Sequence, residues 1–380
     1  MRSLRIKSIV AAVSLIGSIS LTGCSKINEM SADYIPQNKF VVEPQYSVDP
    51  NIFSEGLAAV YERASDSDRR AGFIDLTGKL VIPMDFEYVG NFSSGLAPAQ
   101  TNGRVGYIDI SGEYVIPPQF DYAYDFSDGV AAVCYSNDGF QCGYIDIEGK
   151  LLTPLDITSM DYQTQASEGY FTACHGTMDD CQFRFTKTDG TPANFGNFTW
   201  ADPFSDGLAA VQQRVGDDYL WGFINKEGRF AVKPMFAWVG KFGSGLAPVC
   251  IGNSPENCTI GFIDKFGKFQ INPQFEYFEM YDSESNWGDY PQHGFFEGLA
   301  RVMVNKKIGY IDSTGKMLIK PQFTYGGNFV NGLARVKVSG KMGFINKKGV
   351  LVVPAIYDNA YNFYQGRAAV EVDGKWGYIS

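Results

Sequence analysis

The sequence repeats itself, and this constrains the fold more than any other feature. One signature is Gly-aromatic-Ile-Asp/Asn followed by a turn, as in GYIDISG from Gly106 and GFINKKG from Gly343. A second runs in phase with it, as in FSDGLAAV from Phe204, and a third is a proline-containing stretch of the type IPPQF, ending at Phe120. Nine units fill residues 39–380, and the shortest lie 34 residues apart. Because one such unit cannot bury its apolar face alone, the repetition predicts stacked neighbours.

Each unit reads as three short antiparallel strands, so we expect an all-β fold. Leu-Ala-x-Val is one strand, Gly-aromatic-Ile-Asp is the next, and Asp-x-x-Gly suits a hairpin turn with a left-handed glycine. The third strand ends at a proline, which cannot donate to a continuing ladder. The position of Trp376 is filled in other units by residues such as Ala71, Ile260 and Met342. We therefore predict a packing role for it, and a close backbone approach or bulge at the glycine that follows.

The ends of the chain allow two architectures. The array begins at Lys39 with a third strand, KFVVEPQY, and stops at Ser380 after the middle strand of a unit. In a closed ring the two ends would complete one unit, whereas in an open solenoid they would cap different ends. Because nine three-stranded units would make an unusually large propeller, we expect an open or superhelical β-hairpin array, with a closed propeller-like ring as the alternative.

The compound pattern resembles a known family. KWGYI from Lys375, LWGFINKEG from Leu220, FSDGLAAV and VIPPQF together are similar to the WG-repeat, or KWG-repeat, family of bacterial envelope and secreted proteins. The resemblance covers most of residues 39–380 and implies a β-rich repeat scaffold that binds protein or glycan. The fourth unit, residues 156–197, departs from the pattern because it lacks the motif Gly and Ile and the proline-containing strand.

Residues 1–23 are interpreted as a signal peptide. An apolar run from Ile9 to Leu21 is long enough for a signal-peptide core and short for a membrane span. It follows three basic residues, Arg2, Arg5 and Lys7.

The residues after this run resemble the lipobox of bacterial lipoproteins. Leu21-Thr22-Gly23-Cys24 implies a mature chain that starts at Cys24, with diacylglycerol on its sulfur, and residues 24–38 then form a tether. Ser25 resembles the sorting residue of outer-membrane lipoproteins. The expected localisation is the bacterial cell envelope, at the outer membrane and facing the periplasm or the cell surface, with the inner membrane left open.

The net charge argues against nucleic acid as a partner. The formal charge is −10, and it becomes −13 once residues 1–23, with three basic and no acidic residues, are removed. Nucleic-acid binders present a basic groove, whereas this surface should repel anionic phosphates and lipid headgroups. Only the lipid anchor is expected to hold the protein at the membrane.

Six cysteines besides Cys24 fit three disulfides. Cys134, Cys174 and Cys250 each lie five residues after the Gly of the second signature. The other three lie one or three residues before the motif Gly position, and so face the same side of the next strand. The repeat phase predicts bridges across hairpins, Cys134–Cys142, Cys174–Cys181 and Cys250–Cys258, and we expect no metal site because the pairs lack histidines at zinc-ligand spacing.

The sequence offers little for catalysis, and we expect neither an enzyme nor a cofactor. There are two histidines, and His175 reads as an exposed residue of a hairpin tip. No nucleophile elbow, zinc-protease motif or P-loop is present. A glycosidase carboxylate pair could exist only as a spatial arrangement.

The best candidate site is an insertion, because Gly261 and Gly309 are 48 residues apart and neighbouring motif glycines are 34 apart. The excess, residues 276–296, is rich in aromatic and polar residues. Insertions in repeat proteins often decorate the binding face. The candidate binding residues are Tyr281, Trp287, Asp289, Tyr290 and His293. In an alternative reading, the aromatics pack back on the array.

We therefore expect a non-catalytic, lipid-anchored scaffold whose partner is another envelope protein. One alternative is a carbohydrate-binding module for peptidoglycan or an extracellular glycan, suggested by the aromatic content and the insertion. A second is a glycan-cleaving enzyme, which would need a carboxylate pair.

Overall fold

The computed structural model describes residues 36–48, 50–65, 68–136, 141–159, 165–177, 180–252, 257–278 and 294–380. Regular structure in these ranges is built from β-strands and contains no α-helix, which confirms the all-β expectation. No helix within them is long and apolar enough to cross a membrane.

The first fourteen strands are β1 (Phe40–Tyr46), β2 (Leu57–Ser65), β3 (Asp68–Asp75), β4 (Leu80–Phe86), β5 (Tyr88–Val89), β6 (Ala97–Thr101), β7 (Arg104–Ile108), β8 (Tyr114–Phe120), β9 (Tyr122–Ala123), β10 (Val130–Tyr135), β11 (Gln141–Asp146), β12 (Ile157–Ser159), β13 (Tyr170–Thr177) and β14 (Asp180–Lys187). The next eleven are β15 (Trp200–Ala201), β16 (Leu208–Val215), β17 (Asp218–Asn225), β18 (Phe230–Phe236), β19 (Leu246–Gly252), β20 (Cys258–Asp264), β21 (Phe269–Glu276), β22 (Phe295–Phe296), β23 (Leu299–Val304), β24 (Lys307–Asp312) and β25 (Met317–Phe323). The last seven are β26 (Tyr325–Gly326), β27 (Leu333–Val338), β28 (Lys341–Asn346), β29 (Leu351–Tyr357), β30 (Asn359–Ala360), β31 (Ala368–Val372) and β32 (Lys375–Ile379).

The repeat unit is a small antiparallel sheet. The eighth unit shows it completely, in the order β26-β27-β28-β29, where a two-residue strand precedes the three strands expected from the sequence. The third and fourth units share one six-stranded sheet, and the sixth and seventh units share another. In the fourth unit a third strand is replaced by isolated bridges, Phe183 to Phe198 and Thr186 to Pro192, in keeping with its lost motif residues.

The motif glycine lies where two backbones meet. In the eighth unit the register between β28 and β29 is irregular on both sides of Gly343. A Cβ atom on Gly343 would lie 2.7 Å from the carbonyl oxygen of Val353 and 2.8 Å from the Cα atom of Ala355. No other side chain fits at that distance, which confirms the close approach predicted from the sequence.

Both faces of each sheet are buried, because each unit packs between two neighbours. On β3, Phe73 belongs to the core shared with the second unit, and Ile74 belongs to the core on the opposite side. The described residues form nine such clusters. Trp376 is buried in one of them and stacks on Tyr361 at 5.1 Å between ring centroids. Its predicted packing role is confirmed.

The two ends of the array complete one hairpin. The Asn38 N–H donates to the Ser380 carbonyl at 2.8 Å, and the Ser380 N–H donates to the Lys39 carbonyl at 3.0 Å. The same pair of bonds closes the unbroken turn of the eighth unit, where Gly349 takes the place of Asn38. Asn38 has a φ of 51°, so it adopts the left-handed conformation that glycine adopts elsewhere.

This closure makes the array a propeller-like ring. Strand β1 pairs with β32 and supplies the third strand that the ninth unit lacks. A core then joins the ninth unit to the first, with Trp376 and Tyr378 on one side and Val60 and Ile74 on the other. The preferred expectation of an open array is therefore wrong and the ring alternative applies, because the phase shift between the ends lets each satisfy the other.

A line of turns connects the units. The residue before the second-signature Gly has a positive φ in all nine units: Glu55, Ser94, Asp128, Glu168, Asp206, Ser244, Glu297, Asn331 and Gln365. We call these nine residues the turn belt. Several accept a hydrogen bond from the turn Gly of the next unit, for example Glu55 from the Gly95 N–H at 2.9 Å. Gln365 accepts from the Gly56 N–H at 2.8 Å, so the belt also crosses the closure.

Three hairpins carry disulfides. The structure pairs Cys134 with Cys142, Cys174 with Cys181, and Cys250 with Cys258. The first pair is directly opposite across β10 and β11. Cys181 and Cys258 are opposite Gly176 and Gly252, two residues along from their bonded partners, so these two bridges are diagonal.

Candidate functional site

The candidate residues of the insertion, Tyr281, Trp287, Asp289, Tyr290 and His293, lie outside the described residues. The described chain stops at Phe278 and resumes at Gly294. These two residues show where the insertion leaves and re-enters the ring.

A recess lies between those two points, at the junction of the sixth and seventh units. Its walls combine aromatic and aliphatic side chains with one cation and one carboxylate. It is lined by Pro248, Ile260, Phe262, Phe275, Glu276, Tyr277, Phe278, Gly294, Arg301 and Val302. A mostly apolar recess with a few polar groups is the usual form of a binding site.

Arg301 is the buried cation of this recess. Its sequence, LARV, places it on β23 where most units have alanine or proline. The residue is 6% exposed, its guanidinium carbon lies 5.8 Å from the centre of the Phe278 ring, and its Nη1 donates to the Gly326 carbonyl at 3.3 Å. A guanidinium held over an aromatic face can contribute about 2 kcal/mol when it is desolvated.

Arg335 repeats this arrangement one unit later and shows that the contact is also structural. It stands 5.8 Å over the Tyr325 ring, and it donates from Nε to Asn362 at 3.0 Å and from Nη1 to the Ala360 carbonyl at 2.7 Å. The recess differs from that site because the insertion emerges there.

Glu276 fixes the rim of the recess. It accepts hydrogen bonds from the Asn305 N–H at 2.5 Å and the Lys306 N–H at 3.2 Å, and so holds the hairpin tip of the seventh unit. Glu87 and Asp358 do the same for the tips at Gly103 and Asp373. Carboxylates at this position are tip caps, which occupies them in structural bonds.

The motif carboxylates are likewise bound in turns. Asp75 accepts from the N–H groups of Thr77 and Lys79 and from the Thr77 hydroxyl. The hydroxyl bond is the main reason that the pKa of Asp75 is lowered, and the pKa of Asp312 is lowered in the same way by Thr314. Such groups stay ionised and are poorly suited to general acid catalysis.

Asp125 is the carboxylate whose environment is different, and the sequence analysis missed it. It accepts from the Asn91 N–H and from the Asn91 side-chain amide, both at 2.9 Å, across the junction of the second and third units. Burial raises its pKa to about 6, and the two bonds from Asn91 oppose that shift. The position, directly before the signature Phe, varies between units, so no sequence pattern marked it.

His175 does not lie at an exposed hairpin tip as predicted. It sits within β13 opposite Gln182, with its side chain 19% exposed. Its Nδ1 lies 3.6 Å from Asp156, too far for a good hydrogen bond, and burial lowers its pKa. No cluster of three or more metal-ligating side chains occurs in the described part of the chain.

The fold and the recess define the class of protein: a closed, propeller-like ring of small β-repeat units with one inserted segment. The model of the WG containing repeat matches residues 72–104, 106–137, 196–214, 221–254, 260–286, 308–341 and 342–376, together more than half of the chain. The chain therefore belongs to the WG-repeat family.

Solved structures with some likeness are propellers or contain them. TolB from Acinetobacter baumannii is 13% identical over 56% of this chain and 62% of its own length, with a TM-score of 0.28, so the chain spans less than two thirds of that protein. The β-propeller domain of the Trilobed protease from Pyrococcus furiosus is 11% identical over 84% of this chain and 99% of that chain, with a TM-score of 0.37. Prolyl oligopeptidase B from Galerina marginata is 10% identical over 66% and 46%, with a TM-score of 0.38.

At TM-scores this low, these likenesses carry no argument about function. None of the curated proteins compared with the chain matches it.

Proposed function

We propose that this protein is a lipid-anchored, non-catalytic scaffold of the bacterial envelope that binds another envelope protein next to its insertion. The observation that carries the proposal is the recess around Arg301, an apolar depression at the base of the one long insertion in the ring. Repeat proteins commonly bind partners through insertions on one face. The described carboxylates that cap turns and tips support a binding role over a catalytic one.

The anchor is proposed from the sequence. The lipobox-like residues ending at Cys24 would place diacylglycerol on that sulfur, and residues 24–38 would tether the ring at the outer membrane. Growth with labelled palmitate should label the wild-type protein, and Cys24→Ser should abolish the label and release the protein to the soluble fraction. An unlabelled wild type would refute the anchor.

The binding proposal is tested by site-specific crosslinking in cells. A photoactivatable amino acid at Tyr277, on the recess wall, should give one discrete crosslinked envelope protein. The matched control is Val215, a 45% exposed residue at the hairpin tip of the fifth unit. The crosslink at Tyr277 should also disappear in the Trp287→Ala/Tyr290→Ala variant. Equal crosslinking at both positions, or none at Tyr277, would contradict the proposal.

A glycan partner is the second candidate, favoured by exposed aromatic residues on the two-residue strands. Tyr88 is 36% exposed and Tyr122 is 53% exposed at equivalent positions of neighbouring units. Aromatic rings of this kind can stack on sugars. Co-sedimentation with purified peptidoglycan sacculi at moderate salt, lost in the Trp287→Ala/Tyr290→Ala variant, would favour this reading; a clean supernatant would favour the protein partner.

A further inference from the structure

Three belt carboxylates are neutralised from within the ring. Each pairs with a lysine that directly follows the motif Asp/Asn of the next unit. The pairs are Lys226 with Glu168 at 3.0 Å, Lys265 with Asp206 at 3.1 Å and Lys347 with Glu297 at 3.0 Å. Lys226 and Lys347 also donate to the backbone carbonyls of their partners, so the same geometry recurs at distant places in the ring.

The carboxylate of Asp206 shows how such a site is shared. Its Oδ2 accepts from the Gly245 N–H at 2.6 Å, and its Oδ1 faces the Lys265 ammonium. One oxygen therefore holds the next turn and the other binds a cation. These two contacts lower the pKa of Asp206, while its partial burial opposes them.

Where the belt residue is uncharged, the lysine is missing. Ser244 is followed in the next unit by Ser313, Ser94 by Ile147 and Gln365 by Leu76. The closure confirms that this position contacts the preceding turn, because Arg367 Nε donates to the Leu76 carbonyl at 3.0 Å. Lysines thus accompany acids in the sixth, seventh and eighth belt contacts of this kind and are absent where there is no charge to neutralise.

Two belt acids break the pattern. Glu55 is followed in the next unit by Ile110, and Asp128 is followed by Thr188. Both carboxylates are exposed, and each accepts from a turn glycine, Gly95 or Gly169. Within the described ranges neither forms an ion pair with a lysine or arginine.

Apolar side chains lie between these two acids along the belt. Ile110 is 63% exposed and Ile147 is 42% exposed, although both project from turns where other units carry lysine. Exposed isoleucines beside uncompensated carboxylates form a surface suited to a chain that brings both apolar and cationic groups.

We propose that this sector, made of Glu55, Ile110, Ile147 and Asp128, docks a basic segment of a partner protein. Two lysine or arginine side chains of that segment take the places that Lys226 and Lys265 occupy elsewhere on the belt, and apolar residues between them cover Ile110 and Ile147. The proposal rests on the proposed function in taking the partner to be a protein, but its surface is separate from the recess.

Charge complementarity selects this occupant. With a formal charge of −13 after removal of residues 1–23, the ring repels anionic lipid. A second copy of the chain is also disfavoured, since the belt lysines that could supply the cations are paired with belt acids. A basic segment satisfies the two carboxylates and the apolar surface together.

The test uses synthetic peptides, acetylated and amidated, with two lysines separated by two to six alternating Ile and Ser residues. This series spans roughly 10–23 Å between the lysine Cα atoms at about 3.3 Å per residue. Isothermal titration with the mature ring should show one spacing that binds best and weakens with salt. A version of that peptide with acetylated lysines should not bind.

The deciding variant restores the missing lysines. Ile110→Lys/Thr188→Lys should neutralise Glu55 and Asp128 from within and weaken peptide binding about tenfold or more. Phe266→Lys/Ser313→Lys adds the same charge at two exposed turn positions away from the sector and should leave binding unchanged. Circular dichroism of both variants shows whether the ring is intact.

Three results would overturn the proposal: no binding at any spacing up to about 1 mM peptide, equal weakening in both lysine variants, or full binding by Ile110→Lys/Thr188→Lys. The crosslink from Tyr277 does not depend on these side chains. A failed peptide test with an intact Tyr277 crosslink would therefore refute the belt surface alone, and the reverse pattern would refute the recess alone.

Discussion

At the scale of single residues, the motif glycine is set by a backbone and the belt residues by a turn. On Gly309 a Cβ atom would lie 2.6 Å from the Ile319 carbonyl oxygen, whereas on Gly340, at a hairpin tip with a φ of 87°, it would meet nothing within 4 Å. Gly309→Ala should lower the free energy of unfolding by about 2–3 kcal/mol through the clash.

Gly340→Ala is the matched control for that experiment. It carries only the cost of a left-handed alanine, about 1 kcal/mol. Urea unfolding of both variants measures the difference, and an equal loss in the two would show that the clash at Gly309 is relieved at no cost.

Asp125 predicts a pH dependence of stability. Its pKa is about 6 in the folded protein against an ordinary value of 3.8, so the folded state binds more protons between these values. The contribution of Asp125 to the free energy of unfolding should therefore be fully present below about pH 4 and fall as the pH rises towards 6. Asp125→Asn should flatten this part of the profile, measured by urea unfolding from pH 4 to pH 7. An unchanged slope would contradict it.

Single-residue roles were predictable where the repeat displayed them many times. The glycine before the aromatic and the substitutable position of Trp376 could be interpreted because nine copies constrain each. The contact between Asn91 and Asp125 could not, because it joins two units at a variable position and depends on how the units pack.

At the scale of elements, the hairpin is the part of the fold that the sequence determines best. Turn chemistry, strand pattern and cysteine phase all act within about 20 residues, and these hairpins are present in the structure. The fourth unit shows the limit: without the motif residues its third strand is reduced to bridges, and His175, assigned from the sequence to a tip, lies within β13.

The hairpin disulfides should stabilise locally. Cys134 and Cys142 are separated by 8 residues, and for a loop of that size the chain-entropy model gives about 2.5 kcal/mol. Cys134→Ala/Cys142→Ala should lose about that amount in thermal or urea unfolding. A reductant should destabilise the wild type further, since it opens all three bridges. A wild type indifferent to reductant would show that the bridges do not contribute.

At the scale of the whole molecule, closure depends on quantities that no local pattern contains. Nine small rotations between units must add up to one turn, and each is set by the packing of side chains such as Phe73 and Ile74 against the next sheet. The sequence did show that the two ends were complementary. The choice between ring and solenoid required the packing angle, which is why the open array was preferred wrongly.

The closure itself can be tested with cysteines. The Ser380 N–H donates to the Lys39 carbonyl at 3.0 Å, and Phe40 pairs with Ile379 in the adjoining register. Residues opposite each other in an antiparallel pair have Cα atoms about 4.5–5.5 Å apart, within the range of a disulfide. Lys39→Cys/Ser380→Cys should therefore bridge rapidly and nearly completely in the monomer under mild oxidant, as seen by mass spectrometry.

The control pairs Lys39→Cys with Ser313→Cys, which lies in the seventh unit and not at the closure. It should stay unbridged under the same conditions. In a ring held at this point, bridging should also raise the melting temperature, because the covalent link prevents β1 from leaving the ninth unit and exposing its core. Slow bridging in both variants would mean that the ends separate in solution and that the array opens there.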